Sequence, residues 1–330
     1  MLEPPGISDD DIVERVRERW AIAATSAVFL PVGNDSRAWA YRIEAELGRV
    51  FLKVRAGPAD PASLSVPRFL AERGIGQMVP PIPTVDGAPS DPGDPFTFVV
   101  MPFVDGVNGG EAGLTEAMQR ELGSVLCRMH DTAPDRALAA IIRHETFGAV
   151  AAGDVRRAAA VVETGVFDDE HQRAAAAFWR GRGAEIARIV ERAVDLGARA
   201  RGRPHRLAIC HADIHAWNVL VQPDGGFVIV DWDETLLAPR ERDLMFVEGG
   251  VGGLDNDADA FFAGYGEVRI DPVVMSYYRY AWVVEEIADY GRRAFLDPSF
   301  GDATRADAVA SLAGIFDPGE VVEAAYRSDR

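Results

Sequence analysis

The chain has 330 residues, with 34 Lys plus Arg against 52 Asp plus Glu and a formal charge of −18. That length accommodates two lobes, each with its own core, and a surface this acidic disfavours nucleic acid and anionic membrane while attracting cationic small molecules. No segment is long and apolar enough to span a bilayer. The acidic start "MLEPPGISDDD" lacks the basic head and apolar run of a signal peptide, so a cytoplasmic chain is expected. In that compartment the "NDS" at Asn34 carries no glycan, and Cys127 and Cys210 are read as reduced, packed thiols.

In chain order, a first helix is expected from a Ser8 cap, with Ile12, Val13, Val16 and Trp20 as its apolar stripe. Three strand-like runs follow, "AVFLPVG", "AWAYRIEA" and "RVFLKVR". "GPADPAS" reads as a break before a short helix, "PRFLAERG", with Pro67 in its first turn. "FTFVVMPFVDG" adds a buried strand and leads to a loop with Gly106, Gly109 and Gly110. Beyond it, "TEAMQRELGSVLCRMHDT" has helical spacing, two Ala- and Arg-rich helical stretches run to about Arg199, and "RARGRPHR" reads as an exposed linker. "LAIC", "NVLV" and "FVIVD" are short strands, the last two joined by the turn "QPDGG", and the remainder is mostly helical. The expected class is α+β, with a strand-rich lobe over residues 1–103 and a larger, mainly helical lobe over 104–330.

The stretch "ICHADIHAWNVLV" holds most of the chemistry-bearing side chains. His211 and His215, four apart and beside Cys210, have the separation that zinc ligands use on a helix. Yet the segment lies between strand-like runs, and no third ligand or hydrolytic Glu follows at the needed spacing. The other pattern is Asp213 and Asn218 in "H-x-D-x-x-x-x-N", with Asp231 at the end of the "FVIVD" strand. Phosphoryl transfer to a hydroxyl needs one carboxylate near the acceptor oxygen and oxygen ligands for Mg²⁺ on the phosphates. Asp213 suits the first task, Asn218 and Asp231 the second.

"HADIHAWN…IVDWD" resembles the catalytic core of the aminoglycoside phosphotransferase and choline kinase group, relatives of the protein kinases. The resemblance implies a two-lobed protein-kinase-like fold that uses Mg²⁺ and ATP, with GTP left open. On it Asp213 is the catalytic Asp, Asn218 and Asp231 the metal ligands, His215 the loop's second His near phosphate or acceptor, and His211 a framework residue. Lys53, within the apolar strand "VFLKVR", matches the lysine that steadies the phosphates; a Lys among apolar residues is costly unless paired or lining a cleft. Gly33 and Ser36 fall in the expected phosphate-covering loop, Met101 and Phe103 at the adenine-holding hinge, and Glu72 is the nominated acidic partner of Lys53. A P-loop motif is absent.

Asp243 matches a residue that braces the catalytic loop from below. Trp232 and Asp233 directly follow Asp231 and are expected at the cleft mouth, where Asp233 and Glu234 can meet substrate; Trp217 is nominated as a further acceptor contact. In "YYRYAWVVEEIADYGRRAF", Tyr278, Trp282, Glu285 and Asp289 share one helix face, a surface suited to amines; equally, Asp289 can pair with Arg292 or Arg293 and Trp282 can simply pack. "DWDETLLAPRERDLMF" and this helix are similar to the spectinomycin phosphotransferase branch, which implies transfer of the γ-phosphoryl group to a hydroxyl of a cationic aminocyclitol and a role in antibiotic resistance. The alternatives are a metabolic kinase for an amino alcohol or sugar, and a catalytically silent nucleotide-binding regulator. A monomer is expected.

Overall fold

Ser8 begins the first helix as expected: its hydroxyl accepts from the Asp11 amide at 3.1 Å, and Asp9–Asp11 complement the helix dipole. The structure, a computed structural model, describes residues 3–33, 35, 37–247, 254 and 258–329. Helix α1 (Asp9–Trp20) is followed by strands β1 (Ala24–Leu30), β2 (Ala38–Ala45) and β3 (Gly48–Ala56), then helix α2 (Pro61–Ala71) and strand β4 (Phe96–Pro102). The four strands form one antiparallel sheet in the order β1-β2-β3-β4. Strand alternation divides its faces. Tyr41, Ile43, Leu52, Val54, Phe98 and Val100 are buried with Ile12, Val16 and Trp20 of α1. The opposite face carries Ala38, Ala40, Phe51, Lys53, Arg55, Val99 and Met101, because Lys53 pairs across with Ala40 and Val99, and Phe51 with Met101.

Helix α2 departs from the sequence reading. It starts at Pro61 under an Asp60 cap whose carboxylate accepts from the Ala62 amide at 2.9 Å, and Pro67 lies inside it. "GPADPAS" is therefore a helix start, since Pro at the first position loses no intrahelical bond.

Strand β5 (Val107–Asn108), helices α3 (Gly109–Ala112), α4 (Glu116–Asp131) and α5 (Arg136–Ala139) come next, then α6 (Ala152–Thr164) and α7 (Glu170–Arg201). Helix α7 runs into the expected linker, where Arg199 pairs with Asp195 one turn back at 3.8 Å. Strands β6 (Ala208–Cys210), β7 (Val219–Val221), β8 (Phe227–Ile229) and β9 (Leu236–Ala238) follow. β7 and β8 form the expected hairpin, closed by a Gln222 amide bond to the Gly226 carbonyl at 2.8 Å, and β5 adds to β7. The chain ends in α8 (Glu241–Leu244), α9 (Ala258–Tyr265), α10 (Pro272–Gly291), α11 (Asp302–Gly314) and α12 (Val321–Arg327).

Packing groups these elements into two compact units. One contains the chain to His144, Ala208–Leu237 and the segment ending at Gly266. Within it α4 and α9 approach closely: a Cβ on Gly123 would lie 2.1 Å from the Phe261 carbonyl oxygen. The other contains Glu145–Leu207, the segment from Ala238 and the chain from Glu267. There α10, capped by Asp271 with Pro272 behind it, packs on α6, α7 and α12. Among the described residues, no helix is long and apolar enough to cross a membrane.

Candidate active site

The loop between β6 and β7 is shaped by His211, whose ring is fully buried. Its Nε2 lies 2.9 Å from the Val230 carbonyl oxygen, and its Nδ1 accepts from the Asp213 amide at 3.2 Å. These two bonds specify one neutral tautomer, with the proton on Nε2. Trp232, expected at a cleft mouth, is instead buried and packs its ring on His211 with centroids 4.6 Å apart. Ala212 takes φ +72°, left-handed backbone that an L side chain resists, and so turns the chain to present Asp213.

Asp213 is half-buried. Its Oδ2 accepts from Asn218 Nδ2 at 3.0 Å and lies 3.4 Å from His215 Nε2. Asn218 Nδ2 also donates to the Asp213 carbonyl at 2.8 Å, so the amide nitrogen faces Asp213 and Oδ1 points away from that bond. The zinc reading of His211 and His215 loses its basis here, because both ring nitrogens of His211 are engaged by backbone, one by the Asp213 amide and the other by the Val230 carbonyl.

Lys53 connects β3 to the end of β8. Its Nζ is 2.9 Å from Asp231 Oδ1 and 2.9 Å from Asp233 Oδ2. Withdrawal from water opposes the ammonium, but Asp231, Asp233 and Asp35 together outweigh it and raise the Lys53 pKa. For Asp231, desolvation pushes upward, and the attraction and hydrogen bond of Lys53 win, leaving its pKa lowered. Asp231, like Ala212, sits at positive φ, +62°.

Asp233, expected to meet an acceptor amine, bridges Lys53 and Arg55. Glu72, the nominated partner of Lys53, is a different matter. It caps the exposed C-terminal end of α2, and Lys53 has Asp231 and Asp233 instead. The physical reason is that α2 ends at Ala71, which leaves Glu72 at the exposed cap rather than on a packed helix face. Glu234 is exposed and lies 3.3 Å from Arg143, whose Nε is 3.1 Å from Asp60. Gly33, at φ +83°, has open space where a Cβ would stand; Ser36 lies outside the described residues. Met101 shares the Lys53 face of the sheet, and Phe103 lies under the Arg49 guanidinium at 4.8 Å. Trp217 is 56% exposed, and its indole lies over Gly110, where a Cβ would be 2.5 Å from Cε2.

The α10 residues belong to the second unit, where most have partners. Tyr278 is buried beside Phe147 and Tyr277, and Trp282 packs edge-on against Phe246 with centroids 4.8 Å apart. Glu285 is exposed, with its Oε2 3.4 Å from Arg242. Asp289 pairs with both Arg292 and Arg293. Asp243 is fully buried in α8.

The profile of the phosphotransferase enzyme family (APH) matches residues 27–298. The chain belongs to this family. Protein StrN of Streptomyces griseus is 27% identical over 287 residues, 83% of this chain and 81% of that protein. The crystal structure of spectinomycin phosphotransferase APH(9)-Ia, in complex with ADP and spectinomycin, is 32% identical, covers 98% of this chain and 99% of that one, and superposes with a TM-score of 0.86. The choline kinase LicA from Streptococcus pneumoniae, 12% identical with a TM-score of 0.53 over 92% of this chain and 98% of its own, shares the fold alone. The protein is thus a phosphotransferase with a kinase-like α+β fold.

Sequence reasoning missed three charged residues of this phosphotransferase. Arg55 stands two positions after Lys53 and on the same sheet face, a signal that strand period alone offers. Asp35 lies between Gly33 and Ser36, but nothing in its spacing pairs it with Arg55; Arg143 lies far from the motifs in sequence, and no spacing rule brings it to Glu234.

Proposed function

We propose that this phosphotransferase moves the γ-phosphoryl group of ATP to a hydroxyl of a cationic aminocyclitol of the spectinomycin type, with Mg²⁺ on the phosphates, and that it serves resistance by modifying such a compound. The observation that carries the reading is the Lys53–Asp231 ion pair beside the Asp213 loop, which joins a phosphate cation and a metal carboxylate to a recessed acceptor for a proton. The spectinomycin and ADP bound to a relative that spans nearly the whole chain support the choice of substrates.

On this reading residues 1–103 form the nucleotide lobe and 104–330 the catalytic and acceptor lobe. Asp213 orients the acceptor hydroxyl and takes its proton on the carboxylate, while Asn218 and His215 hold that carboxylate in place. Lys53 turns its ammonium to the phosphates. Asn218 Oδ1 and the Asp231 carboxylate are hard oxygen donors of the kind Mg²⁺ takes, and the amide orientation set by Asp213 suits Asn218 to that task. When bound, the metal neutralises charge that builds on the transferred group. Gly33 and Ser36 would cover the phosphates by backbone, and Met101 and Phe103 would border the base. Trp217, with its exposed indole, and Glu234 are the acceptor contacts this reading favours.

ADP release measured across spectinomycin, aminoglycosides, choline, homoserine and sugars tests it. Turnover on spectinomycin well above the rest is expected. Turnover confined to choline, homoserine or a sugar would replace the acceptor class while keeping the chemistry, and ADP release with none of them would leave a nucleotide-binding regulator.

A further inference from the structure

We propose that Arg55 is a second phosphate-binding cation, held between Asp35 and Asp233 until nucleotide arrives. The inference deepens the phosphotransferase reading and rests on it. Lys53 and Arg55 stand two apart on β3, so both project from the sheet face opposite the α1 core. Their charged heads converge on a single atom. Lys53 Nζ lies 2.9 Å from Asp233 Oδ2, and Arg55 Nη1 contacts that same oxygen. Arg55 Nη1 also lies 3.1 Å from Asp35 Oδ2, in the segment between β1 and β2.

Two cations brought to one point repel unless an anion separates them. Here a carboxylate oxygen does so, and its position between an ammonium and a guanidinium is one that a phosphate oxygen can take over. The guanidinium is suited to the exchange, because its forked donors match phosphate as well as carboxylate. Lys53 and Arg55 are 16% and 25% exposed, so solvent screens their contacts less than those of a surface pair. Three carboxylates, Asp35, Asp231 and Asp233, surround these two cations. The arrangement makes Asp35 and Asp233 competitors of the phosphates for Arg55. On binding, phosphate oxygens replace Asp233 between the two cations, and Arg55 exchanges Asp35 for the ligand. Arg55 thereby contributes to phosphate affinity, while Asp35 opposes it.

The test is the dissociation constant of ATP and of adenosine, with Mg²⁺, measured by calorimetry on the full chain and on Arg55→Gln, Arg55→Lys and Asp35→Asn. Arg55→Gln is expected to weaken ATP about tenfold, the scale of one charge-assisted phosphate contact, and to leave adenosine within about twofold. Arg55→Lys recovers part of the loss, and Asp35→Asn tightens ATP several-fold with adenosine unchanged. A purely structural ion pair gives another pattern: ATP and adenosine change alike, or Asp35→Asn leaves ATP unchanged or weaker. Either result overturns the proposal. Should Arg55→Gln melt below the assay temperature, the Asp35→Asn comparison decides by the same criterion. Wild-type chain that binds adenosine and ATP equally overturns the Arg55 role, and wild-type chain that binds neither overturns the phosphotransferase reading together with it.

Discussion

The Asp213–Lys53 region and the α10 face both present carboxylates beside cations or aromatic rings, yet they use them differently. In the first, polar atoms are held by short-range bonds that orient them without burying them: Asp213 by Asn218, Asp231 by Lys53. In the second, the same residue types complete the packing: Trp282 fits against Phe246, and Asp289 neutralises Arg293, which is only 4% exposed. The difference teaches that a shared helix face identifies neighbours but not whether their bonding capacity is already spent. A carboxylate that is the counterion of a buried arginine is a poor receptor for a ligand amine, because the arginine would lose its partner.

The largest expected effect separates the two regions at once. Asp213→Asn should lower kcat about 10³-fold, in the range general-base removal produces, while ATP affinity stays within about twofold. Steady-state ADP release and calorimetry read the two quantities, and wild-type-like turnover would remove Asp213 from the chemistry. Next comes Asp289→Asn. Arg293, only 4% exposed, would lose the charge of Asp289 and keep that of Asp307 at 3.6 Å, so about 2 kcal/mol of stability should be lost with the acceptor KM unchanged. Denaturant melts and KM values check this. A raised KM at unchanged stability would break the comparison by making α10 an acceptor surface after all.

A smaller and opposite effect is expected at Ala212, whose left-handed backbone strains an L residue. Ala212→Gly should relieve that strain and stabilise the chain by about 0.5–1 kcal/mol in urea titrations. Lost stability would mean that the buried methyl contributes more than the backbone strain removes.

The smallest effect is in pH dependence. Asp231 has a lowered pKa, so its contribution is complete above the ordinary aspartate range and is lost as pH falls through the lowered value. Lys53 has a raised pKa, so its contribution is complete below the ordinary lysine value and is lost as pH rises toward the raised one. The pair therefore stabilises fully between roughly pH 4 and 10. Lys53→Met should flatten the acid limb of stability against pH, measured by denaturant titration from neutral to acidic buffer. An unchanged acid limb would show that the pair adds nothing to stability.

Much of this protein is local information. The α1 stripe and Ser8 cap, the alternation of β2 and β3, and the turn "QPDGG" are readable because helix and strand periods and turn chemistry act within a few residues. The spacing of His211, Asp213, Asn218 and Asp231 is readable for the same reason, since one loop and one hairpin carry all four. The start of α2 is a local signal too, in Asp60-Pro61, that Pro67 obscured.

What the sequence by itself determined is thus the His211–Asn218 loop, the lysine strand and the family to which they belong. Only the tertiary structure decided which charges meet: that Lys53 answers to Asp231 and Asp233 rather than Glu72, that Arg55 shares an oxygen with it, and that Glu285 and Asp289 of α10 meet arginines. The reason is physical. An ion pair depends on the distance between two side chains, and for residues as far apart in the chain as Lys53 and Asp233 that distance is set by strand pairing and packing, not by sequence separation.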